Sequence, residues 1–460
     1  MRHSLRAVHV LCVVVAGTFS GYTERHLASR LMSHDAIAAS VGAHATKNNH
    51  HNKNTTMKKI FVINLLVIIL LLPACEKNED DIQTDNNSLS EKLQALADKT
   101  YADYLAEYPG FPGGFAIYVI HDNETGLGHH GFPDNFLESM HFRGQSTTKT
   151  FTAAGIVLLY QRGQLHFDSL VTAPIPDKDV PYLPDTEEYN IPFKDQITIW
   201  QLLNHTAGVY DLVNHNDGAS FLDSIFSQNP EFTVTIDLMT SYISEHGKFQ
   251  FEPGEDWGYS NSGYQLLAKI IERVSGKSYR QFMDDEFIKP LALNETSFPD
   301  LGNEQTMPDP YLDSWAWLPD QSLNLTTQNM SANVGEGNVI SSPRDLSKFY
   351  HLLLSGQAGI KMAYVSNYMM ACVPTSQINS TGYGMGLFNY KNLGYGHGGD
   401  GSGISVRCYT DPTDNFTVFV LSNCWNFNNG PSDMSLLNKQ TLILHNLMFE
   451  TKDLVLGHYK

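Results

Sequence analysis

The alternation of apolar and polar positions divides this chain into stretches of different period. Residues 60–72 are apolar apart from Asn64, with Lys58 and Lys59 ahead of them and Pro73, Ala74 and Cys75 behind. Such a run is too short to span a bilayer, which takes about 20 apolar residues. A basic start, a short apolar centre and a small-residue end read as a secretory signal over residues 57–74; a soluble core helix is the alternative. The next stretch, "EKNEDDIQTDNNSLS", is acidic, polar and aperiodic. It predicts a flexible tether over residues 75–92. From about Ser90 the spacing becomes helical in "EKLQALADKTYADYLAEY", and "GGFAIYVIHDNETGLGHHGF" predicts two strands around a polar turn. "GQSTTKTFTAAGIVLLYQRGQL" predicts a helix ending at Gly163, and a long middle section alternates Pro-rich loops with helices. Strands return in "YGMGLFNY", "GISVRCYTD" and "FTVFVLSNC", before a last helix near residues 435–450. Strands at both ends with helices between predict one α/β unit over residues 93–460. Its antiparallel sheet is built from the terminal segments and flanked by helices, with a mostly helical insertion in the middle.

Composition changes this picture mainly at the front. Residues 1–56 hold a weaker apolar run and a His/Asn-rich tract, "HATKNNHHNKNTT". Such a tract can bind metal, but an extension upstream of a true start at Met57 is the favoured reading, and no part of the fold is assigned to it. The chain carries 30 basic and 49 acidic residues, a net charge of −19; without residues 1–74, which hold eight Lys/Arg and two Asp/Glu, the balance is −25. That argues against nucleic acid and anionic lipid headgroups as partners. Beyond Cys75 the chain has only Cys372, Cys408 and Cys424, with no CxxC, so neither a disulfide framework nor a zinc site is expected. The end of the signal resembles a bacterial lipoprotein cleavage site, with Cys75 as the lipidated first residue. That implies a lipid-anchored protein of the cell envelope, and the acidic residues behind Cys75 resemble signals for the outer face of the outer membrane.

Three short motifs carry candidate chemistry. Ser146 and Lys149 stand at i and i+3 and share a helix face. A buried lysine with a lowered pKa can take a serine proton, and a helix N-terminus favours a nearby oxyanion. The plain alternative is a capping serine and a surface lysine. Against it, Thr147, Thr148, Thr150 and Thr152 crowd the first turns and residues 153–159 are wholly apolar, the pattern of a buried helix with a polar mouth. In "EPGEDWGYSNSGYQLLAKIIERVSG", Tyr259 and Asn261 precede an amphipathic helix. Tyr259 is a candidate phenolate base if cations lower its pKa, or a packed aromatic at a helix start; Asn261 can hold Lys149 and a substrate amide. A second Tyr-x-Asn, Tyr390 to Asn392, ends a predicted strand and is set aside. "GYGHGGDGSGIS" puts six glycines and His397 at the start of a strand, where a ligand or another backbone can approach closely. The Asp400 N–H is a candidate oxyanion donor beside the Ser146 N–H, or the segment is a plain turn.

Ser-x-x-Lys, Tyr-x-Asn and His-x-Gly in this order resemble the serine β-lactamase and penicillin-binding-protein superfamily. The segments "ITIWQLLNHTAGVYD", the Tyr259 block and "GEGNVISSPRDLSKFYHLLLSG" are similar to its class C β-lactamase-like branch, which also holds D-Ala-D-Ala carboxypeptidases, D-aminopeptidases and esterases. The resemblance covers residues from about 93 onward. It implies Ser146 as acylated nucleophile, Lys149 and Tyr259 as proton-transfer partners with the base left open between them, and Asn261 as substrate-orienting. His397 stands where the family has a lysine or histidine, with Gly399 and Asp400 beside the oxyanion. No metal, nucleotide or other cofactor is implied, and His205 reads as a turn-fixing residue. The departure is His397-Gly398-Gly399 in place of Lys-Thr-Gly, which removes groups that grip a substrate carboxylate. The expectation is a serine hydrolase working on an ester, amide or D-amino-acid peptide bond of a small-molecule or peptide substrate, peptidoglycan-derived or β-lactam substrates included. The alternatives are a true β-lactamase and a non-catalytic binding or sensor lipoprotein of the same fold.

Overall fold

The computed structural model describes residues 88–375 and 380–457. The extension, the signal, Cys75 and most of the tether lie outside the described residues. The first helix, α1 (Leu89–Glu107), begins inside the stretch assigned to the tether. Ser88 accepts the Glu91 N–H while the Glu91 side chain accepts the Ser88 N–H. This capping box starts the helix four residues ahead of its first fully buried apolar position, Leu93.

A seven-stranded antiparallel sheet follows from β1 (Phe115–His121), β2 (Glu124–His130), β3 (Ser380–Tyr383), β4 (Phe388–Tyr390), β5 (Gly394–Gly401), β6 (Ile404–Asp411) and β7 (Phe416–Ser422). Its order is β2-β1-β7-β6-β5-β4-β3, so N- and C-terminal segments do build one sheet. Both faces are covered, which is why β1 and β7 are apolar without alternation. Phe115, Ile117, Val119, Val418 and Val420 face a core shared with Leu93 and Ala97 of α1 and with Leu444 and Leu447 of the last helix, α5 (Ser435–Leu456). Ala116, Tyr118, Phe419 and Leu421 face a larger core. That second core is built with α2 (Thr148–Gln161), α3 (Asn261–Ser275) and α4 (Pro343–Leu354). The order is helix layer, sheet, helix layer. Residues 163–339 add no strand to this sheet among the described residues.

Two segments differ from the sequence-based expectation. "YGMGLFNY" is a hairpin rather than one strand. Gly386 (φ +69°) turns it, and a Cβ there would lie 2.8 Å from the Lys149 carbonyl oxygen. The glycine-rich "GYGHGGDG" is itself the strand β5, paired along its length with β6, rather than the lead into one. Glycine is weak in a strand because it adds no packing, but here close neighbours on both sides leave no room for side chains.

Candidate active site

The helix α2 has polar residues at its head because each hydroxyl ties a neighbouring segment to it. Thr148 Oγ1 accepts the Val339 N–H at 3.0 Å. Thr150 Oγ1 donates to the Gly386 carbonyl at 2.7 Å, and Thr152 Oγ1 to the Gly335 carbonyl at 2.6 Å. The helix is buried on all sides through Leu159. Ser146 sits in a single 3-10 turn (Gln145–Thr147) just ahead of it. Gln145, at φ +51°, occupies the left-handed region that non-glycine residues seldom adopt, a strain that the surrounding packing must hold.

Lys149 is fully buried one turn further on. Its Nζ lies 3.2 Å from Ser146 Oγ, 2.5 Å from Asn261 Oδ1, 2.9 Å from the Glu336 carbonyl oxygen and 3.2 Å from Glu336 Oε2. Burial drives the Lys149 pKa below the usual lysine range, opposed by the negative charges of Glu336 and Asp211. The Tyr259 hydroxyl hydrogen-bonds to Ser146, and the Lys149 Nζ stands over the Tyr259 ring, 4.9 Å from its centroid. Burial pushes the Tyr259 pKa well above 10, the Ser146 bond being too weak to offset it, and Glu336, Asp211 and Asp400 push it the same way. A phenolate held by cations at this position is therefore not what the site supplies: at neutral pH Tyr259 is a phenol, a proton donor.

Asn261 opens α3, whose cap is Ser260, accepting the Gly263 N–H at 3.0 Å. Asp211 Oδ1 accepts the Asn261 N–H at 3.2 Å, which turns the Asn261 side chain to Lys149. His205 lies ahead of Tyr259. Its Nδ1 accepts the Ser260 N–H at 3.1 Å and its ring packs 4.4 Å from the Tyr259 ring.

The third motif is brought beside the nucleophile, but its histidine faces inward. His397 Nδ1 donates to the Gly398 carbonyl at 2.6 Å, and Nε2 lies 3.2 Å from the Tyr383 hydroxyl. Burial first, and the nearby Lys149 second, lower its pKa to about 3, so it is neutral. A neutral His397 adds no charge beside Lys149, and desolvation is what depresses the lysine. Gly399 runs against the strand before Ser146: a Cβ there would lie 2.3 Å from the Gly144 carbonyl oxygen. The turn Ser402-Gly403 has positive φ at both residues, +54° and +78°, the signature of a two-residue hairpin closed by the pair Gly401 and Ile404. Alternation along the ladder then turns the Asp400 N–H away from β6. On that edge β4 covers only Gly394, Tyr395 and Gly396. The Asp400 carboxylate is bound to the buried Arg407 at 3.0 Å.

The structure therefore brings together Ser146, Lys149, Tyr259 and Asn261, with Gly399 and Asp400 alongside. Asp211 and Glu336 complete the cluster, and sequence reasoning missed both. Each lies inside a segment quoted above for its resemblance, but a lone carboxylate carries no periodic signal. Burial raises the Asp211 pKa to about 7, with Glu336 adding to the rise and Lys149 opposing it. A separate cavity of about 760 Å³, lined by Thr172, Asp185, Glu187 and Lys194 among others, shares no residue with this cluster.

The family model described as "Beta-lactamase" matches residues 102–442. The chain belongs to the β-lactamase family. Among curated relatives, this family member is 29% identical over 300 residues to penicillin-binding protein 4* of Bacillus subtilis, covering 61% of this chain and 60% of that protein. It is 26% identical over 320 residues to protein flp of Staphylococcus aureus, covering 68% and 58%. The chain thus spans about 60% of the length of these relatives. Among solved structures, a D-stereospecific amidohydrolase from Streptomyces superposes with a TM-score of 0.61 at 27% identity, over 74% of this chain and 94% of the other. D-amino acid amidase from Ochrobactrum anthropi superposes with a TM-score of 0.62 at 22% identity, over 80% and 99%, a likeness of fold.

Proposed function

We propose that this chain is a serine hydrolase that forms an acyl-enzyme at Ser146 on ester or amide bonds. The observation that carries this reading is Ser146 Oγ held between the buried Lys149 amine, 3.2 Å away, and the Tyr259 phenol. The opposite pKa directions divide the roles. Lys149, lowered, is the base that accepts the Ser146 proton as Oγ attacks the carbonyl carbon; Tyr259, raised, donates a proton toward the leaving group. The N–H groups of Ser146 and Asp400 hold the oxyanion. Asn261 fixes the Lys149 amine and presents its amide to substrate. Water then attacks the acyl ester by the same route in reverse.

Charge around the site favours substrates without a carboxylate to be gripped. Lys149 is enclosed, Arg407 is paired with Asp400, and His397 is neutral with both nitrogens engaged. Amides and esters of D-amino acids, whose amine is cationic, suit this site better than β-lactams or C-terminal D-Ala-D-Ala peptides, which carry carboxylates. The name of the Streptomyces relative, a D-stereospecific amidohydrolase, supports the same class. In a panel of D-phenylalanine amide, a p-nitrophenyl ester, a D-Ala-D-Ala peptide and nitrocefin, the first two should show kcat/KM larger by about tenfold or more, the worth of one unmatched charge contact. Faster turnover of nitrocefin or of the D-Ala-D-Ala peptide would reverse this assignment.

We also propose that the mature chain begins at a lipidated Cys75 and is held at the bacterial cell envelope, at the periplasmic or outer-surface side. The basic, apolar and small-residue order of residues 57–75 supports it. The protein expressed in a bacterial host should partition into the detergent phase, and Cys75→Ser should move it to the aqueous phase. Soluble wild-type protein still carrying residues 1–74 would refute both the anchor and the start at Met57.

A further inference from the structure

Lys149 has more acceptors than an amine can serve. An ammonium has three N–H donors, and four oxygens lie within 3.2 Å of Nζ. A neutral amine has two N–H groups and one lone pair, and to accept the Ser146 proton that lone pair must point at Oγ. The two N–H groups then go to Asn261 Oδ1 and the Glu336 carbonyl, the shortest contacts at 2.5 and 2.9 Å. Glu336 Oε2 is left over, 3.2 Å from Nζ. This carboxylate is built in rather than incidental. Its residue is 3% exposed, and its other oxygen, Oε1, accepts from Asn333 Nδ2 at 2.6 Å. The turn that carries it is fixed by Thr152 Oγ1 on the Gly335 carbonyl and by Asn338 Oδ1 on the Gly335 N–H at 3.1 Å.

We propose that Glu336 is a positioning residue for Lys149: its carboxylate accepts the third N–H of the resting ammonium, holds the nitrogen beside Ser146, and by its charge sets the pH at which the amine becomes free to act on Oγ. As the pH rises the ammonium gives this third proton up to solvent, which breaks one Lys149 N–H bond and leaves a lone pair on the nitrogen beside Ser146 Oγ. The freed lone pair then accepts the Ser146 hydroxyl proton as the Oγ–carbon bond of the acyl-enzyme forms. Lys149 gives the proton back to Ser146 Oγ when water has cleaved the acyl ester, which restores the amine. The inference rests on the reading of Ser146 as nucleophile and Lys149 as base.

The groups that face Lys149 are Glu336, Asp211, Tyr259, Tyr264, His205 and His397. Among the described residues Glu336 is the only carboxylate that bonds Nζ, and Asp211 acts through Asn261. Two buried carboxylates beside one lysine leave an excess negative charge, which a proton shared within the cluster relieves. Removing the Glu336 charge lowers the pH at which both Lys149 and Asp211 lose their protons, so the two effects have one sign.

The test is the rate of Ser146 phosphonylation by a fluorophosphonate, in which an Oγ–P bond forms and fluoride leaves, as a function of pH, in the full chain, for wild type, Glu336→Gln and Glu336→Asp. The acid limb should move to lower pH by about 1–3 units in Glu336→Gln, the usual effect of one close charge. Glu336→Asp, which keeps the charge one methylene further back, should fall between, and it carries the test alone if the glutamine variant does not fold. Acid limbs that coincide with that of wild type would overturn the role of Glu336 while leaving Ser146 as nucleophile. Absence of phosphonylation in the wild type would instead overturn the reading beneath it.

Discussion

Lys149→Ala should lower kcat on a p-nitrophenyl ester by at least 10²–10⁴-fold, on the order expected for loss of a general base. Tyr259→Phe, which keeps the ring and removes only the hydroxyl, should cost a similar factor on an amide and less on the activated ester, whose leaving group needs no proton. The double variant should lose far less than the product of the two, because both groups bond the same Ser146 hydroxyl and act as a unit. The pH profile follows from the directions of the shifts. Lys149 must lose a proton to act, so the rate rises with pH along an acid limb, and that limb lies below the ordinary lysine range because burial disfavours the ammonium. Tyr259 must keep its proton, and its pKa lies well above 10, so no descending limb is expected near neutrality. Fully multiplicative losses, or a profile that falls from pH 6 upward, would contradict this division of labour.

Ser146→Ala should have the largest effect on turnover, a loss on the order of 10⁶-fold as for other serine nucleophiles. The change removes one oxygen from a partly accessible residue and leaves the helix contacts of Thr147, Thr148, Thr150 and Thr152 in place. The variant should therefore fold with a Tm near that of wild type and still bind substrate. It leaves Lys149 without its hydroxyl partner but with Asn261 and Glu336. Ester hydrolysis near the wild-type rate by Ser146→Ala would move the nucleophile elsewhere in the chain.

Much of this was legible before the structure, and for physical reasons. A helix that is apolar on every side yet opens on Ser146, Lys149 and four threonines can only be a buried helix with a polar mouth, and α2 is that. The apolar runs of β1 and β7 marked strands, and the structure shows both of their faces covered. The order of three motifs fixed which distant residues would meet. What could not be read were effects that only packing produces. The direction of the Tyr259 pKa depends on how deeply its ring is enclosed, and enclosure reversed the phenolate reading. The inward turn of His397 depends on Tyr383, fourteen residues away across a hairpin that was expected as a single strand. Asp211 and Glu336 are single carboxylates in loops, and nothing in their neighbours' periodicity marks them as buried beside a lysine. The helix start expected near Ser90 lies one residue from Leu89, but the tether was drawn on to residue 92 because a capping serine and glutamate look, in sequence, like more of the polar tether.

The central claim is that Ser146 is the covalent nucleophile. Intact-mass spectrometry after treatment with a fluorophosphonate, followed by proteolysis and fragment mapping, measures this directly. The account predicts a single adduct, located within residues 145–149 and absent from Ser146→Ala. An adduct mapped to another residue, or folded wild-type protein that takes up none, would contradict it.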